Sequence, residues 1–579
     1  MSRLSVLTFT LLLFLFPRAL AAQQTAITNE PTPPAIEKKA FDLLETVASR
    51  ISTLRYPENR IAVSCAIADL VWSKDEKRAR ALFENVSREE AALVASVDLS
   101  DQRAYELISP INSQRQEVIN RMALHDPDMA LAFLRATRFP ADAPMYSSNW
   151  ERNLELSLSR AIAAKDPERA LKIARESLSK GLTYELISLL AELERKNKPA
   201  AQSLYESVIN RIKDEDLSRN QEAANIAINL LTSFQPPLAN EDLFRDLLET
   251  VIKSALSMTP ADPLTQQTAQ NYFGSLFSSM QLVEKYAPAR ARAVRDWSQA
   301  ITRTLDPHNQ MYSELNQTVQ NGSVDDVLAL APKFPSEMRN QVYQQAAWKA
   351  SSDGDIARAR QIAADYISDP VQRRQFLEQI NNQQTWTAIN DNKLAEARAL
   401  LAKSSSVELR VQVLCRIAAT LMAKDNKKEA LDCLNEARAL VSALPRNSTK
   451  VWQQMQLASA YATVELDQSF ALMQAIVIQL NELVMAAVVM DGFENRYLRR
   501  GEWMMNGPNN MANIVTNMRH TIAQLARFDL DRAETLSDQL ERPEIRLMTQ
   551  LEIVQSTLTG ASMGPMMGQP RNFIGGLVR

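Results

Sequence analysis

The segment LCRIAATLMAKDNKKEALDCLNEA, residues 414–437, contains two amphipathic stretches on either side of a polar turn. Apolar residues recur at helical spacing before the turn and again after it, which is typical of amphipathic α-helices. The turn from Lys424 to Lys428 is short, so the second helix returns alongside the first. Ala418 and Ala430 are twelve residues apart and small, which lets the two helices approach closely. The segment therefore predicts an antiparallel helical hairpin.

Two sequence features indicate that this hairpin recurs along the chain. The twelve-residue offset links three further pairs of small or apolar residues, Ala347 with Ala359, Ser459 with Ala471, and Leu158 with Ala170. A second signature is an Asp or Asn, three residues rich in charge, and an Ala; it begins at Asp75, Asp126, Asp166, Asn197, Asp355, Asp467 and Asp529. An Asp or Asn there caps the free N–H groups of a new helix. Each copy therefore predicts the start of the second helix of a hairpin.

The hairpin pattern resembles the tetratricopeptide repeat, in which large and small apolar residues alternate on two antiparallel helices. The residues that carry the resemblance in one hairpin are Tyr343, Ala346, Ala350, Ala363 and Tyr366. Successive alanines at positions 359, 397, 430 and 471 are 38, 33 and 41 residues apart, so the repeat is irregular. The resemblance implies an all-α fold, a right-handed α-solenoid of antiparallel helical hairpins that bury their apolar faces on one another.

Composition and charge exclude several functional classes. Only 12 of the 579 residues are glycine, so turns that cradle phosphates are not expected, and a Rossmann or P-loop fold is disfavoured. The net charge of −3 comes from nearly equal numbers of acidic and basic residues. Such a balance gives no reason to expect a nucleic acid as the partner.

The first residues predict export. Arg3 precedes the apolar stretch Leu4 to Phe16, and Ala19 and Ala21 provide small residues for signal peptidase, so we expect residues 1–21 to be a cleaved signal peptide. The stretch is shorter than the roughly 20 residues that span a bilayer. The apolar region Phe470 to Val489 contains interrupting polar groups and predicts a buried helix. We therefore expect a periplasmic or extracellular protein without a transmembrane anchor after signal cleavage.

Prolines and glycines suggest the domain boundaries. Residues 22–35 form a proline-containing flexible linker, and the proline-rich stretch at 235–239 divides an N-terminal helical array, residues 36–234, from a C-terminal array, residues 240–559. Residues 498–510 predict a long loop within the second array. Five of the 12 glycines lie in the last twenty residues, so 560–579 are predicted to be a disordered tail.

The sequence contains no recognisable catalytic or metal-binding motif. His125, His308 and His520 are far apart, without the spacing of metal ligands, and neither a GxSxG nor a Walker sequence occurs. The adjacent acids Glu89 and Glu90 are interpreted as part of a solvated helix face. We therefore predict no catalytic residue, no metal and no cofactor.

Three cysteines are too few to form a disulfide framework in an exported protein of this size. Cys415 and Cys433 lie at the same level of the predicted hairpin. The helical wheel turns them to opposite sides of the contact line, which favours two buried free thiols over a disulfide. Cys65 lies in an apolar run and is predicted to be a core residue.

Methionines outside the predicted repeats are candidate residues for contact with a partner. They lie with a tryptophan in the predicted loop, as Trp503, Met504, Met505 and Met511, and in the tail, as Met563, Met566 and Met567. Three interpretations are open: ordinary loop composition, contact with an apolar partner surface, and Cu(I) binding by thioethers. Trp503 beside the loop methionines favours contact with a partner over copper.

The predicted architecture leads to a functional hypothesis. An α-solenoid exposes a long curved surface, which in related architectures binds peptides or protein domains. We therefore expect an exported, non-enzymatic scaffold or adaptor whose partner is a protein or peptide. The alternatives are a helical carbohydrate-active or other envelope enzyme, with a site assembled from distant helices, and a structural solenoid that associates with itself.

Overall fold

The structure is a computed structural model of the whole chain. It describes residues 34–560 apart from 101–103, 141–147, 164, 237–239, 259–268, 270–271, 273–275, 277–279, 305–306, 494–496 and 505–509. The predicted signal peptide, most of the linker and the predicted tail after Gly560 lie outside these residues.

Almost every described segment is helical. In chain order the α-helices are α1 Pro34–Arg50, α2 Pro57–Val71, α3 Glu76–Ala95, α4 Ala104–His125, α5 Pro127–Ala136, α6 Ser148–Ile162, α7 Pro167–Lys180, α8 Glu185–Lys196, α9 Lys198–Lys213, α10 Gln221–Ser233, α11 Glu241–Ser257, α12 Met280–Tyr286, α13 Ala291–Thr304, α14 Pro307–Asn321, α15 Val324–Leu330, α16 Ser336–Ser352, α17 Ile356–Tyr366, α18 Pro370–Asn390, α19 Leu394–Leu401, α20 Val407–Met422, α21 Lys427–Ser442, α22 Ser448–Tyr461, α23 Leu466–Val489, α24 Asn510–Leu525, α25 Leu530–Asp538 and α26 Pro543–Thr559. Two short strands, β1 Leu498–Arg499 and β2 Glu502–Trp503, lie between α23 and α24.

The capping signature is confirmed at six of its seven positions. The side chains of Asp75, Asp126, Asp166, Asn197, Asp355 and Asp529 accept backbone N–H groups at the starts of α3, α5, α7, α9, α17 and α25. The prediction is wrong at Asp467, because α23 begins at Leu466 and Asp467 already lies in its first turn. An acidic residue there still interacts favourably with the positive end of the helix dipole.

The predicted hairpins are confirmed as antiparallel helix pairs. Helices α20 and α21, α16 and α17, α22 and α23, and α6 and α7 pack against each other in pairs. Small residues allow direct contact between paired backbones, since Ser159 donates a hydrogen bond to the carbonyl of Ala170 and Ser469 to that of Ala458, both at 2.7 Å. The fold is therefore all-α, built from helical hairpins as the tetratricopeptide-like pattern implies.

The hydrophobic core continues from hairpin to hairpin. One cluster of buried residues extends from Ile61 to Ile301 and so continues across the proline-rich stretch at 235–239. Others follow from Leu315 to Ile380 and from Ala388 to Val464. The division into two arrays at 235–239 stays a prediction.

The two ends of the described chain pack against each other. The last core cluster combines residues of α1, α2 and α3 with residues of α22 to α26, and α1 lies directly on α26. Lys39 of α1 forms an ion pair with Asp531 of α25 at 2.7 Å. The chain therefore closes on itself, which the repeat pattern did not predict.

The predicted loop at 498–510 contains a β-hairpin in its first part. Strands β1 and β2 are antiparallel, with Leu498 opposite Trp503 and Arg499 opposite Glu502. The two connecting residues, Arg500 and Gly501, have φ angles of 51° and 76°. Positive φ at both positions is the geometry of the type I′ turn that matches the twist of paired strands.

The region Phe470 to Val489 is helical as predicted, but it is buried on one face and exposed on the other. Helix α23 buries residues such as Phe470, Ile476 and Val484 but exposes Ile478 and Val489. Among the described helices, α23 is the one whose length and composition would suffice to cross a membrane.

Candidate functional site

A cleft forms where the two ends of the chain meet. We call it the closure cleft; it has a volume of about 430 Å³ and is lined by Glu37, Phe41, Asp69, Leu70, Ser73, Lys74, Gln555, Leu558 and Thr559. A volume of this size falls within the range of roughly 300–1,000 Å³ that is usual for ligand sites. The closure cleft exists only because the first and last helices are neighbours.

Three helix ends position the cleft residues. Glu37 and Phe41 lie one turn apart on α1 and therefore share a face. Asp69 and Leu70 lie in the last turn of α2, and Ser73 and Lys74 lie in the turn that follows. The third wall is the last turn of α26, which is capped by Gly560 with a φ of 66°. A left-handed residue of this kind is the usual helix terminator, and glycine adopts it without steric cost.

One side of the cleft carries a lysine held between a carboxylate and an aromatic ring. The Lys74 ammonium lies 2.5 Å from the Glu37 carboxylate and 3.7 Å from the centre of the Phe41 ring. A cation over an aromatic face is attracted by the negative charge density of the ring. The contacts join α1 to the turn after α2, so the side chains of Glu37, Phe41 and Lys74 place charge next to apolar surface.

The other charged cleft residue, Asp69, is anchored to α4. Its carboxylate accepts a hydrogen bond from Arg121 at 2.8 Å and lies 2.7 Å from Nε2 of His125. The His125 ring stacks on Trp72, with ring centres 4.7 Å apart. Helix α4 therefore supports this wall of the cleft, and His125 contacts both Asp69 and Trp72.

The β-hairpin joins the chain ends beside the cleft helices. The Glu502 carboxylate accepts the backbone N–H groups of Arg55 and Tyr56 and the side-chain amide of Asn59, at the start of α2. Asn59 also donates to the carbonyl of Trp503 at 2.9 Å. The carboxylate of Glu502 therefore fixes the segment that leads into α2, although it lies more than 440 positions away in the sequence.

The same hairpin is fixed to the last helix. The backbone N–H of Trp503 donates to the Glu544 carboxylate at 2.7 Å, and Arg542 donates to the carbonyl of Gly501 at 3.0 Å. Arg542 also pairs with Glu544. The β-hairpin therefore connects α2 to α26, and its two strands hold the closure together.

The candidate contact residues of the predicted loop lie in different environments. Trp503 is only 1% exposed and stacks on Tyr497, so its ring belongs to the core of the closure. Met504 and Met511 are half-buried, and Met511 packs against the same core. Met505 and the tail methionines lie outside the described residues. Contact of these methionines with a partner, or with Cu(I), stays a prediction.

Within the described residues, no group of three or more His, Cys, Asp or Glu side chains could hold a metal ion. Cys65, Cys415 and Cys433 are buried free thiols. Burial raises the pKa of the Cys65 thiol well above its ordinary value, and it raises the pKa of Cys415 to about 12. Neutral thiols of this kind are poor nucleophiles. The cysteines therefore serve the packing of the hairpins.

The interpretation of Glu90 as part of a solvated helix face is wrong. Glu90 lies on α3, and its side chain is fully buried against α2 and α4. Within the described part of the chain, neither of its carboxylate oxygens has a hydrogen-bond partner. Burial raises its pKa to about 8, against a smaller opposing effect of Arg115, and Glu58 raises it further. Its neighbour Glu89 points elsewhere and pairs with Arg60 at 3.0 Å.

We expect the protein to lose stability relative to a Glu90→Gln variant as the pH rises from about 5 to about 7. In this range the folded state keeps a proton on Glu90 that the unfolded chain, with its pKa of 4.5, has largely released. Each pKa unit is worth about 1.36 kcal/mol, so the change in the free energy of unfolding should approach about 2–3 kcal/mol. Urea denaturation at the two pH values measures it.

Glu89→Gln provides the matched control, because it removes an adjacent, half-exposed carboxylate of the same helix. Its pH profile should follow that of the unmodified protein. Parallel profiles for the unmodified protein and Glu90→Gln would show that Glu90 is ionised in the folded state.

The comparisons with known proteins give structural matches alone. No known family matches the sequence, and no curated protein does. Two solved structures are similar over 90% of this chain and 96% of their own, each at 12% identity: a circular tandem repeat protein with novel repeat topology and enhanced subunit contact surfaces, with a TM-score of 0.14, and yeast Tom70, with a TM-score of 0.21. TM-scores this low support no argument about the fold. The fold is therefore assigned from the helical hairpins described above.

Proposed function

We propose that the protein is an exported, non-enzymatic helical-repeat scaffold that binds a peptide or protein segment in the closure cleft. The observation that carries the proposal is the arrangement of Glu37, Phe41 and Lys74 beside Leu70 and Leu558. A peptide side chain can bury apolar surface on the ring and the leucines while its polar groups meet the charges at the rim. The apolar sequence from Leu4 to Phe16 supports export.

The chemistry of the cleft favours binding over catalysis. Its charged groups are already paired, Lys74 with Glu37 and Asp69 with Arg121, so neither carboxylate is placed as a free general base. Ion pairs at the rim of a binding site contribute orientation and association rate. The cleft is therefore suited to recognise a segment that carries both an apolar side chain and charge.

Photo-crosslinking in the native organism tests this function. With p-benzoylphenylalanine at Ser73, which lines the cleft, we expect a discrete crosslinked species of reproducible mass. With the same residue at Ser179, an exposed serine in the last turn of α7, we expect none. Equal yields from both positions would contradict the proposal, as would crosslinks from Ser179 alone.

A charge reversal makes the test specific. Lys74→Glu should lower the crosslink yield from Ser73 by about fivefold, since a charged contact is worth about 1 kcal/mol or more. Lys77→Glu changes the same charge on an exposed residue outside the cleft and should leave the yield unchanged. An equal effect of both substitutions would show that the overall charge, and not the cleft, governs binding.

A further inference from the structure

The last described helix ends at the rim of the closure cleft. Leu558 and Thr559, in the last turn of α26, line the cleft, and Gly560 caps the helix directly after them. The sequence then continues with residues 561–579, which we call the C-terminal segment. This segment is therefore covalently attached beside the cleft and begins within one turn of its lining.

The closure cleft retains apolar surface that an occupant can bury. Phe41, Leu70 and Leu558 pack against the core of the closure, yet each is only half-buried. The charged groups of the lining are already paired, so the cleft neither strongly attracts nor repels a charged segment. An occupant therefore gains free energy chiefly by burying apolar side chains against the ring and the two leucines.

The C-terminal segment has a composition that suits such a cleft. It carries two arginines and no acidic residue, and large apolar residues occur along its whole length. These are Met563, Met566, Met567, Phe573, Ile574, Leu577 and Val578. Methionine side chains adapt to irregular apolar surfaces, and phenylalanine and isoleucine bury large areas.

The other end of the chain is less well suited, although it also reaches the cleft. Residues 22–33 join α1 at Pro34, one turn before Glu37. Ile27 is the one large apolar residue among them, and the remaining residues are mostly polar. Composition therefore favours the C-terminal segment as the occupant.

We propose that the C-terminal segment folds back into the closure cleft and occupies it until a partner displaces it. The proposal rests on the proposed function of the cleft as a peptide-binding site. Phe573 and Ile574 insert beside Phe41 and Leu70. The backbone from Gly560 to Phe573 can span up to about 40 Å, which leaves ample length to turn back into the adjacent cleft.

Attachment to the rim gives this segment an advantage over free partners. A ligand joined to its site by a short linker acts as though it were present at about millimolar concentration. A partner binds only the fraction of molecules in which the cleft is open, so its apparent affinity falls by that fraction. The C-terminal segment is thus an autoinhibitory element that sets a threshold for partner binding.

Photo-crosslinking of the purified full chain at low concentration tests the proposal. With p-benzoylphenylalanine at Ser73, which lines the cleft, we expect a crosslink within one chain. The product should migrate as a monomer, and peptide mass spectrometry should join residue 73 to the C-terminal segment. The same residue at Ser179, an exposed position on α7, should give no such product.

Two matched variants of the segment identify the contact. Phe573→Asp/Ile574→Asp should lower the intramolecular crosslink yield at least about tenfold, because two large apolar side chains no longer enter the cleft. Gln569→Asp/Asn572→Asp adds the same two charges to the same segment and should leave the yield unchanged. All four positions follow the last described helix, so circular dichroism should be the same for both variants.

Three results with the purified protein would overturn the proposal. The first is the absence of any crosslink between residue 73 and the C-terminal segment. The second is an equal loss of yield in both variants, which would assign the effect to charge. The third is a crosslink that joins two chains, which would place the segment of a second copy in the cleft.

Partner binding is measured separately, in the native organism. Removal of the competing segment by Phe573→Asp/Ile574→Asp should raise the partner crosslink from Ser73 at least about threefold. An unchanged partner yield would show that the segment does not compete and would contradict the proposal. A partner crosslink without an intramolecular one refutes autoinhibition and leaves the proposed function standing, whereas an intramolecular crosslink without any partner refutes the proposed function alone.

Discussion

Replacing Trp503 by alanine is expected to destabilise the closure by about 3–5 kcal/mol, the usual cost of removing a large buried aromatic side chain. The indole is 1% exposed, stacks on Tyr497 and packs in the core that joins the two chain ends. Its removal leaves a void between α2 and α26, so native-state hydrogen exchange should show loss of protection in α1, α2 and α26 together.

Trp452→Ala is the matched control for this substitution. Trp452 lies on α22 and is 38% exposed, so its truncation should cost well below 3 kcal/mol and leave exchange in α1 and α26 unchanged. If Trp503→Ala lowered protection no more than Trp452→Ala does, the β-hairpin would not hold the chain ends together.

Glu552→Gln is the second substitution with a large expected effect. Glu552 on α26 and Arg519 on α24 form an ion pair at 3.1 Å, and both side chains are only 2% exposed. The substitution removes the carboxylate charge from a buried ion pair, and breaking such a pair typically costs about 3–5 kcal/mol. The midpoint of urea denaturation should fall accordingly.

Two controls identify the buried charge as the cause. Asp467→Asn removes one member of an exposed pair with Arg532 and should cost less than about 1 kcal/mol. The double variant Arg519→Met/Glu552→Leu removes both buried charges and should recover most of the loss. A double variant as unstable as Glu552→Gln would show that packing, and not charge, is what the single substitution disturbs.

The helical hairpins could be predicted from the sequence because their signals are local. An Asp or Asn cap such as Asp166 acts on N–H groups within three residues, and the offset between Leu158 and Ala170 lies within one hairpin. The start of α23 was misplaced because Asp467 fits the capping pattern, although the chain becomes helical at Leu466.

The closure could not be predicted, because its contacts join residues almost 500 positions apart. Lys39 and Asp531 are ordinary surface charges in the sequence, and nothing in their neighbourhoods indicates that they meet. The β-hairpin was missed for a related reason. Its turn is Arg500-Gly501 instead of the Asn-Gly that marks such turns, and its strands are two residues long.

The candidate cleft was missed because its lining residues have no motif in common. Glu37, Asp69 and Leu558 come from three distant segments and acquire a shared environment only after the ends meet. Trp503 was predicted to be a possible partner contact because it lies beside methionines in a predicted loop. Its burial could not be predicted, because its packing partners come from distant segments such as α2 and α26. The burial of Glu90 was missed for the same reason, because it results from the packing of α2 and α4 against α3.

The meeting of the chain ends also constrains the order in which the molecule can assemble. Helix α1 is synthesised well before α26, which is the partner of its apolar face. Bringing such distant segments together costs chain entropy, and contacts of long sequence separation form slowly. Until then the apolar face of α1 remains exposed to solvent, so its burial marks a late step of folding.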